Sequence, residues 1–349
     1  MEYLKGKGAQ INLPNKFDKH HLSAEDFDGL DEELLSERPK TKVFYESPKK
    51  IISTNSSPDI KFDRSINPYQ GCEHGCVYCY ARNSHEYWGF SAGLDFETNI
   101  IVKKDAAVLL EQEFLKASYK PQVIMLSGNT DCYQPLEQKY GITRRLLKTF
   151  LKYRNPVGII TKNTLVTRDV DILEELATLG LVKVIFSITT LNEELRRLLE
   201  PRTASAAKKL QAIELLSSRG IPVGIMNAPI IPGLNHHETP KILKLASQAG
   251  AKFAGYTVPR LNGQIHKIFK DWVMKTFPDR AEKIWNQVQE LHGGKVNDSD
   301  FGRRITGDGE IAKVINNLFE VSRRKHFGKE NHIPLSTEHF RKLGNYSLF

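Results

Sequence analysis

The sequence predicts an α/β protein built on a parallel sheet, and three observations predict it. From about residue 61 to residue 260, short apolar, β-branched runs alternate with longer amphipathic stretches. Within those stretches apolar residues recur every three or four positions, the period of a helix with one buried face. Gly180 and Gly220 stand just past two of the stretches, where a left-handed helix cap is expected. Such alternation requires crossover connections, and crossovers make neighbouring strands parallel. Six units are fewer than the eight of a closed barrel. The pattern therefore fits a partial barrel or an open wound sheet. In both, chemistry belongs at the carboxyl ends of the strands.

Residues 1–60 read as an irregular N-terminal extension, frequent in Asn, Pro, Ser and Lys. Glu25, Asp26, Asp28, Asp31, Glu32, Glu33 and Glu37 form an acidic run there, best read as a solvated face or short exposed helix. The core follows at residues 61–260. Its strands are expected at 62–67, 123–127, 157–161, 182–188, 223–227 and 253–258, and helices at 138–152, 169–179, 206–219 and 241–248. Leu146, Leu147, Phe150 and Leu151 illustrate the helical spacing. Residues 261–349 form a C-terminal extension in which the alternation stops. Residues 266–292 read as one or two helices, with Trp272, Val273, Phe277, Ile284, Trp285, Val288 and Leu291 as a packing stripe. The tail then carries the glycine- and arginine-rich run at 302–309 and the basic cluster Arg323, Arg324, Lys325 and His326.

Composition narrows the class. Hydrophobic residues make up 40% and charged residues 26%, which is globular and excludes a disordered or fibrous chain. The first ten residues hold no apolar run, and no apolar stretch approaches the ~18 residues that span a bilayer. A soluble cytoplasmic protein with no membrane partner is expected. The formal net charge of +9 favours a polyanionic partner such as nucleic acid.

Four cysteines occur: Cys72, Cys76, Cys79 and Cys132. Three fall within eight residues just after the first core strand, so they read as metal ligands and not as a disulfide framework. Pro68, Gly71 and Gly75 make that segment a loop. It is long enough to wrap a compact inorganic cube, and its glycines let the backbone come close. A filled 4Fe–4S cube takes four Cys; three leave one iron open for substrate or cofactor. The alternative is a Cys3His zinc site completed by His74 or His85, although no distant second ligand pair is present. One spare cysteine, Cys132, is too few to hold a second cluster.

The string at 66–82, INPYQGCEHGCVYCYAR, resembles the radical S-adenosylmethionine (SAM) enzymes, whose signature is C-x3-C-x2-C after the first strand of a partial (β/α)6 barrel. Tyr78 supplies the aromatic residue that the family places before the last cysteine. The longer string, with LSGNTDCYQPLE and the tail HGGKVNDSDFGRRITGDG, is similar to a branch of uncharacterised relatives of spore photoproduct lyase. The resemblance implies a 4Fe–4S cluster held by Cys72, Cys76 and Cys79, with SAM as cofactor and a flavodoxin- or ferredoxin-type protein as electron donor. It implies reductive cleavage of SAM to a 5′-deoxyadenosyl radical that abstracts hydrogen from substrate.

The same resemblance places a SAM-binding turn at Gly128, Asn129, Thr130 and Asp131, where the chain lacks the family's usual second Gly and its Glu. It points to Lys162 or Arg202 for the SAM carboxylate, to Ser187 and Thr189 for the ribose, and to Asn227 near the adenine. Cys132, just past the SAM-binding turn, is a candidate hydrogen donor at the barrel mouth. For each of these residues the plainer reading is capping, turn formation or packing. Three functions remain in view. The first is a radical SAM lyase acting on nucleic acid in a repair-like reaction; the second uses the same core on a small molecule or peptide. The third is a zinc-stabilised nucleic-acid binder without catalysis.

Overall fold

Ten strands are defined in a computed structural model that describes residues 3–17, 41–60, 62–328 and 333–342. They are β1 (Lys42–Tyr45), β2 (Ile52–Thr54), β3 (Arg64–Ile66), β4 (Tyr69–Gln70) and β5 (Asn99–Val102), then β6 (Ile124–Leu126), β7 (Val157–Thr161), β8 (Val182–Ser187), β9 (Val223–Asn227) and β10 (Phe253–Tyr256). The main sheet has the order β10-β9-β8-β7-β6-β3-β2. Strands β3 and β6 to β10 are mutually parallel, and β2 pairs antiparallel with β3 at one edge.

This order decides between the two architectures left open by the pattern. An open wound sheet reverses its strand order at a switch point. Here the parallel strands follow one another in sequence order with no reversal. Right-handed crossovers then put the helices between the parallel strands on one side of the sheet. The result is a partial (β/α)6 barrel of the radical SAM type.

The predicted strands and helices fall close to their expected places because their burial matches their period. In the helix Ile142–Tyr153, Leu146, Leu147 and Phe150 are fully buried. Gly180 and Gly220 take φ of 65° and 72°, the left-handed caps expected of them. Asn163, Asn192 and Ser205 accept backbone N–H groups at the starts of the helical segments that follow them. The register aligns Ile66 with Leu126, Leu126 with Ile159, Thr161 with Phe186 and Ser187 with Met226. That alignment brings the carboxyl ends of all the parallel strands to one rim.

Among the described residues, the N-terminal extension contributes two strands, β1 and β2. Strand β1 joins β5 and β4 in a small three-stranded sheet. Strands of three or four residues are too short to show a period, and their exposed faces carry little apolar signal. Residues 8 and 9 pack against the cysteine loop: Gly8 and Ala9 donate their N–H groups to the Glu97 carboxylate at 3.2 and 2.8 Å. The acidic run from Glu25 to Glu37 lies outside the described residues.

After β10, the helices Ile265–Thr276 and Ala281–Glu290 carry the expected apolar stripe, with Phe277 half-buried. Trp272, Val273, Ile284 and Val288 pack with Cys76, Val77, Tyr78 and Leu199 in a second core. Fully burying Phe269 and Val273 there contributes about 1.5–3 kcal/mol each, so the extension clamps the cysteine loop. The helix Gly309–Phe327 packs on the outer wall against Thr239–Gln248. Its basic cluster ends that helix, where positive charge suits the helix dipole, and Arg323 is paired with Glu320 at 2.8 Å.

Candidate active site at the strand ends

The cysteine loop leaves β3 through Asn67 and Pro68 and carries Cys72, Cys76 and Cys79, all as free thiols. Gly75 takes φ of 67°, and a Cβ there would stand 2.7 Å from Glu97 Oε2. Arg82, fully buried, supports the loop from behind. Its Nε donates to the Cys76 carbonyl at 2.9 Å, its Nη1 to the Gly93 carbonyl at 2.9 Å and its Nη2 to Glu97 Oε1 at 2.6 Å. A buried ion pair costs desolvation unless its remaining hydrogen-bonding groups are satisfied. Here the Gly8 and Ala9 amides and the loop carbonyls satisfy them.

Burial pushes all three thiols up, and Cys76 and Cys79 push Cys72 up further. The three thiols therefore share one electrostatic environment, in which a bound metal would invert the preference and favour thiolates. Three neighbouring thiols, Cys72 and Cys76 buried and Cys79 partly so, with no fourth cysteine beside them suit a 4Fe–4S cluster with an open iron. His74 faces Asp131, Nδ1 to Oδ2 at 3.3 Å, and His85 stacks on Phe90 at 5.1 Å between centroids. Among the described residues no three His, Cys, Asp and Glu side chains are drawn together around a single ion.

Beside the loop, the strand ends assemble a buried charged cluster around Lys162, just past β7. Its ammonium donates to Ser187 Oγ at 2.8 Å, to Thr189 Oγ1 at 3.3 Å and to Glu200 Oε1 at 2.8 Å. It lies 5.5 Å from the centre of the Tyr78 ring. The Tyr78 hydroxyl donates to Glu200, and Lys209 stands 3.8 Å from the other Glu200 oxygen. Burial pushes Lys162 down to about 8 and Glu200 up. Burial also lowers Lys209, which Glu200 opposes. Two ammonium groups thus share one carboxylate at a water-poor rim, an arrangement able to receive a further carboxylate.

The structure gathers Tyr78, Lys162, Ser187 and Thr189 into this cluster, and the other expected residues have the following partners. Gly128 approaches β3 so closely that a Cβ would lie 2.5 Å from Ser65 Cβ, and its carbonyl accepts the Tyr80 hydroxyl at 2.7 Å. Asn129 donates its backbone N–H to Asn67 and its side-chain amide to Ser84. The Thr130 hydroxyl turns back to the Tyr69 carbonyl at 2.5 Å. Asp131 accepts from Thr161 Oγ1, Lys162 N and Tyr133 N at 2.8, 2.7 and 2.9 Å. Burial raises its pKa, but His74 and these donors outweigh burial and hold it below the ordinary value. Asn227 ties β9 to Ile188 and Thr239. Arg202 reaches Glu73 at 3.6 Å and donates its N–H to the His74 carbonyl. Cys132 is fully buried in the main core, where its backbone N–H donates to Ser127 Oγ at 2.7 Å and its carbonyl accepts the Thr143 hydroxyl at 2.6 Å.

Glu200 and Lys209 were not singled out in the sequence. Lys209 left a signal. It sits at helical spacing with Ala206, Ile213 and Leu216, a lysine inside an apolar stripe. Glu200 left none, since it follows a helix end in a loop and reaches the cluster only through the fold.

A family profile described as the radical SAM superfamily matches residues 66–246. An uncharacterised protein of Mycobacterium tuberculosis is 32% identical over 226 residues, covering 64% of this chain and 66% of that protein. The chain thus spans slightly under two thirds of that relative's length. An uncharacterised protein of Methanocaldococcus jannaschii is 27% identical over 249 residues, covering 71% of this chain and 89% of that protein. In fold, the chain is similar to spore photoproduct lyase complexed with dinucleoside spore photoproduct. That likeness has a TM-score of 0.61 at 15% identity and covers 82% of this chain and 80% of the lyase. A variant of that lyase with bound AdoMet and dinucleoside spore photoproduct is similar at a TM-score of 0.60 and 15% identity, with the same coverage.

Proposed function

Because the chain belongs to the radical SAM superfamily, we propose that it is an enzyme that cleaves SAM reductively and turns the resulting radical on a nucleic acid. The observation that carries this reading is the meeting of three neighbouring thiols, Cys72 and Cys76 buried and Cys79 partly so, with the Lys162–Glu200–Lys209 cluster at one rim of the barrel.

When bound, the cluster and SAM supply one-electron scission of the S–C5′ bond, giving methionine and a 5′-deoxyadenosyl radical; that chemistry is the cofactors' own. The electron comes from a flavodoxin- or ferredoxin-type donor. The chain holds, orients and shields. Cys72, Cys76 and Cys79 would ligate three irons. Lys162 would pair with the methionine carboxylate, and Ser187 and Thr189 offer hydroxyls next to it. Arg202, held on Glu73, and the Gly128–Asp131 turn shape the rim around them. The buried Tyr78 and the clamp of Trp272 and Val273 keep water from the loop. Cys132, fully buried in the main core, is read as a packing residue.

The choice of nucleic acid rests on the +9 net charge and on the fold shared with a lyase that holds a dinucleoside photoproduct. Among the described residues no helix is long and apolar enough to cross a membrane. The test is anaerobic reconstitution with iron, sulfide and a reductant. The protein should then form 5′-deoxyadenosine and methionine from SAM, and Cys76→Ala should abolish both. Full cleavage by the variant would overturn the cluster assignment. Deuterated DNA or RNA should pass deuterium into 5′-deoxyadenosine. Transfer from neither would move the substrate to a small molecule or peptide.

A further inference from the structure

Arg260 stands just past β10, at the rim, and its Nε is buried without a hydrogen-bond acceptor. Its backbone is fixed on both sides. His292 Nε2 lies 2.8 Å from the Pro259 carbonyl, and Asn83 donates to the Asn262 carbonyl at 2.9 Å. The backbone on either side of Arg260 is therefore anchored, while its buried Nε has no acceptor. A buried guanidinium N–H without an acceptor is an unfavourable arrangement unless a ligand supplies one.

A second arginine shares the space. Arg304 belongs to the tail loop, which is laid over β10 by the bond from Val258 N to the Ile305 carbonyl at 2.9 Å. Arg304 is fully engaged: it pairs with Asp59 and donates to Ser57, while the other Asp59 oxygen accepts Gly302 N at 2.6 Å. Asp59 is thus occupied by Arg304, and Asp298 and Asp300 of the same loop are paired with Arg303. Burial first, then the Arg304 charge, lowers the pKa of Arg260, against the opposing pull of Tyr80 and Asp59. On the outer side, Phe301 presents a ring that is 60% exposed, with the Arg304 guanidinium 4.4 Å from its centre. Tyr80, half exposed, links this place to the cysteine loop and to Gly128.

We propose that Arg260, Arg304 and Phe301 form a subsite for nucleic acid, in which Arg260 takes a phosphodiester oxygen of an unpaired strand and Phe301 stacks an adjacent base. Guanidinium groups match phosphate with a planar fork of donors. A basic groove with an exposed aromatic ring is the physical recipe for binding single strands. The subsite lies at the same rim as the thiols, so a strand held there passes the site of radical formation. This inference rests on the nucleic-acid reading above and sharpens it.

The experiment is fluorescence anisotropy of a labelled single-stranded DNA oligonucleotide with the full-length, cluster-loaded protein. Arg260→Gln should weaken binding about tenfold. It should also reduce the slope of log affinity against log salt by about 0.7, the value of one phosphate contact on a single strand. Phe301→Ala should weaken binding by a similar factor while leaving the slope unchanged, because stacking releases no counterions. Arg260→Lys should retain the slope. Wild-type affinity and slope in Arg260→Gln would overturn the proposal, as would absence of binding by the wild-type protein. If Arg260→Gln melts early, Phe301→Ala decides alone, and unchanged affinity there overturns the stacking contact. Anisotropy requires no SAM cleavage. Failure of the radical reading, seen as no 5′-deoxyadenosine from the wild-type protein, is therefore a separate result.

Discussion

The Lys162 ammonium lies 2.8 Å from Glu200 Oε1, and Lys209 approaches the second Glu200 oxygen at 3.8 Å. With burial pushing it down to about 8 from 10.5, Lys162 gives up its proton as pH rises through about 8. A SAM carboxylate held by that charge should bind roughly tenfold more weakly at pH 9 than at pH 7, since each unit above the pKa removes about nine tenths of the charged form. Lys162→Met should weaken SAM binding at pH 7 and abolish this part of the pH dependence. Isothermal titration at both pH values checks it; parallel curves for wild type and variant would remove Lys162 from the binding site.

Glu200 is the pivot of the buried charges, so its loss should hurt more than the loss of either lysine. Glu200→Gln leaves two buried ammonium groups without a carboxylate, which should destabilise the fold by about 3–5 kcal/mol. Lys209→Met leaves Glu200 paired with Lys162 and fills an apolar stripe, so a smaller cost is expected. Denaturant midpoints of the two variants give the comparison, and an equal or reversed order would contradict the arrangement.

The Gly8 backbone touches the cysteine loop without room for a side chain. A Cβ at Gly8 would stand 1.6 Å from the Gly75 carbonyl oxygen, so Gly8→Ala must displace backbone on one side. Displacement frees Glu97 from the Gly8 and Ala9 amides and loosens its hold on Arg82. The expected outcome is faster proteolysis near residues 8–17 and faster loss of iron from the reconstituted protein, measured by limited digestion and iron assay. Unchanged rates would show the contact to be dispensable.

His85 reports on the loop through acid stability. Its ring is fully buried, and burial holds its pKa down to about 4, against 6.5 in an unfolded chain. Between pH 6.5 and 4 the unfolded chain therefore binds more protons, so stability falls as pH falls through that window. The full effect is on the order of 3 kcal/mol. His85→Phe, which keeps an aromatic ring beside Phe90 and Phe96, should lose this part of the decline. Unfolding free energies at pH 7 and pH 4.5 test it, and an equal decline in both proteins would refute the assignment.

Cys132 should act as a core residue. Its replacement by Ala removes a buried sulfur and should cost about 1–2 kcal/mol in unfolding free energy. SAM cleavage by the folded variant should persist. A deuterium-exchange defect in Cys132→Ala product, with stability intact, would restore a role as hydrogen donor.

The parallel strands were legible because burial on both faces writes continuous runs such as Val182–Ser187, and the cysteine loop because its ligands are local. Their order was not legible from the runs, which fit two windings equally well; pairing decided it. Strands β1 and β2 were not legible because most of their residues are exposed and write no apolar run, unlike the equally short but buried β6. The rim was half legible. Lys162 and Ser187 end strands and could be read as such, whereas Glu200 meets them from a loop 38 residues beyond Lys162. Asp131 was read as facing a ligand, yet the donors it engages come from neighbouring strands and from His74, which no local pattern records.

The bonds from Gly8 and Ala9 to Glu97 join positions 89 and 88 residues apart. During synthesis on the ribosome, residues 8 and 9 therefore stay undocked until Glu97 has emerged, and the cysteines leave the exit tunnel before that brace can close. Metal delivery to a nascent chain would meet an unbraced loop, and the docking of this early segment would seal it afterwards.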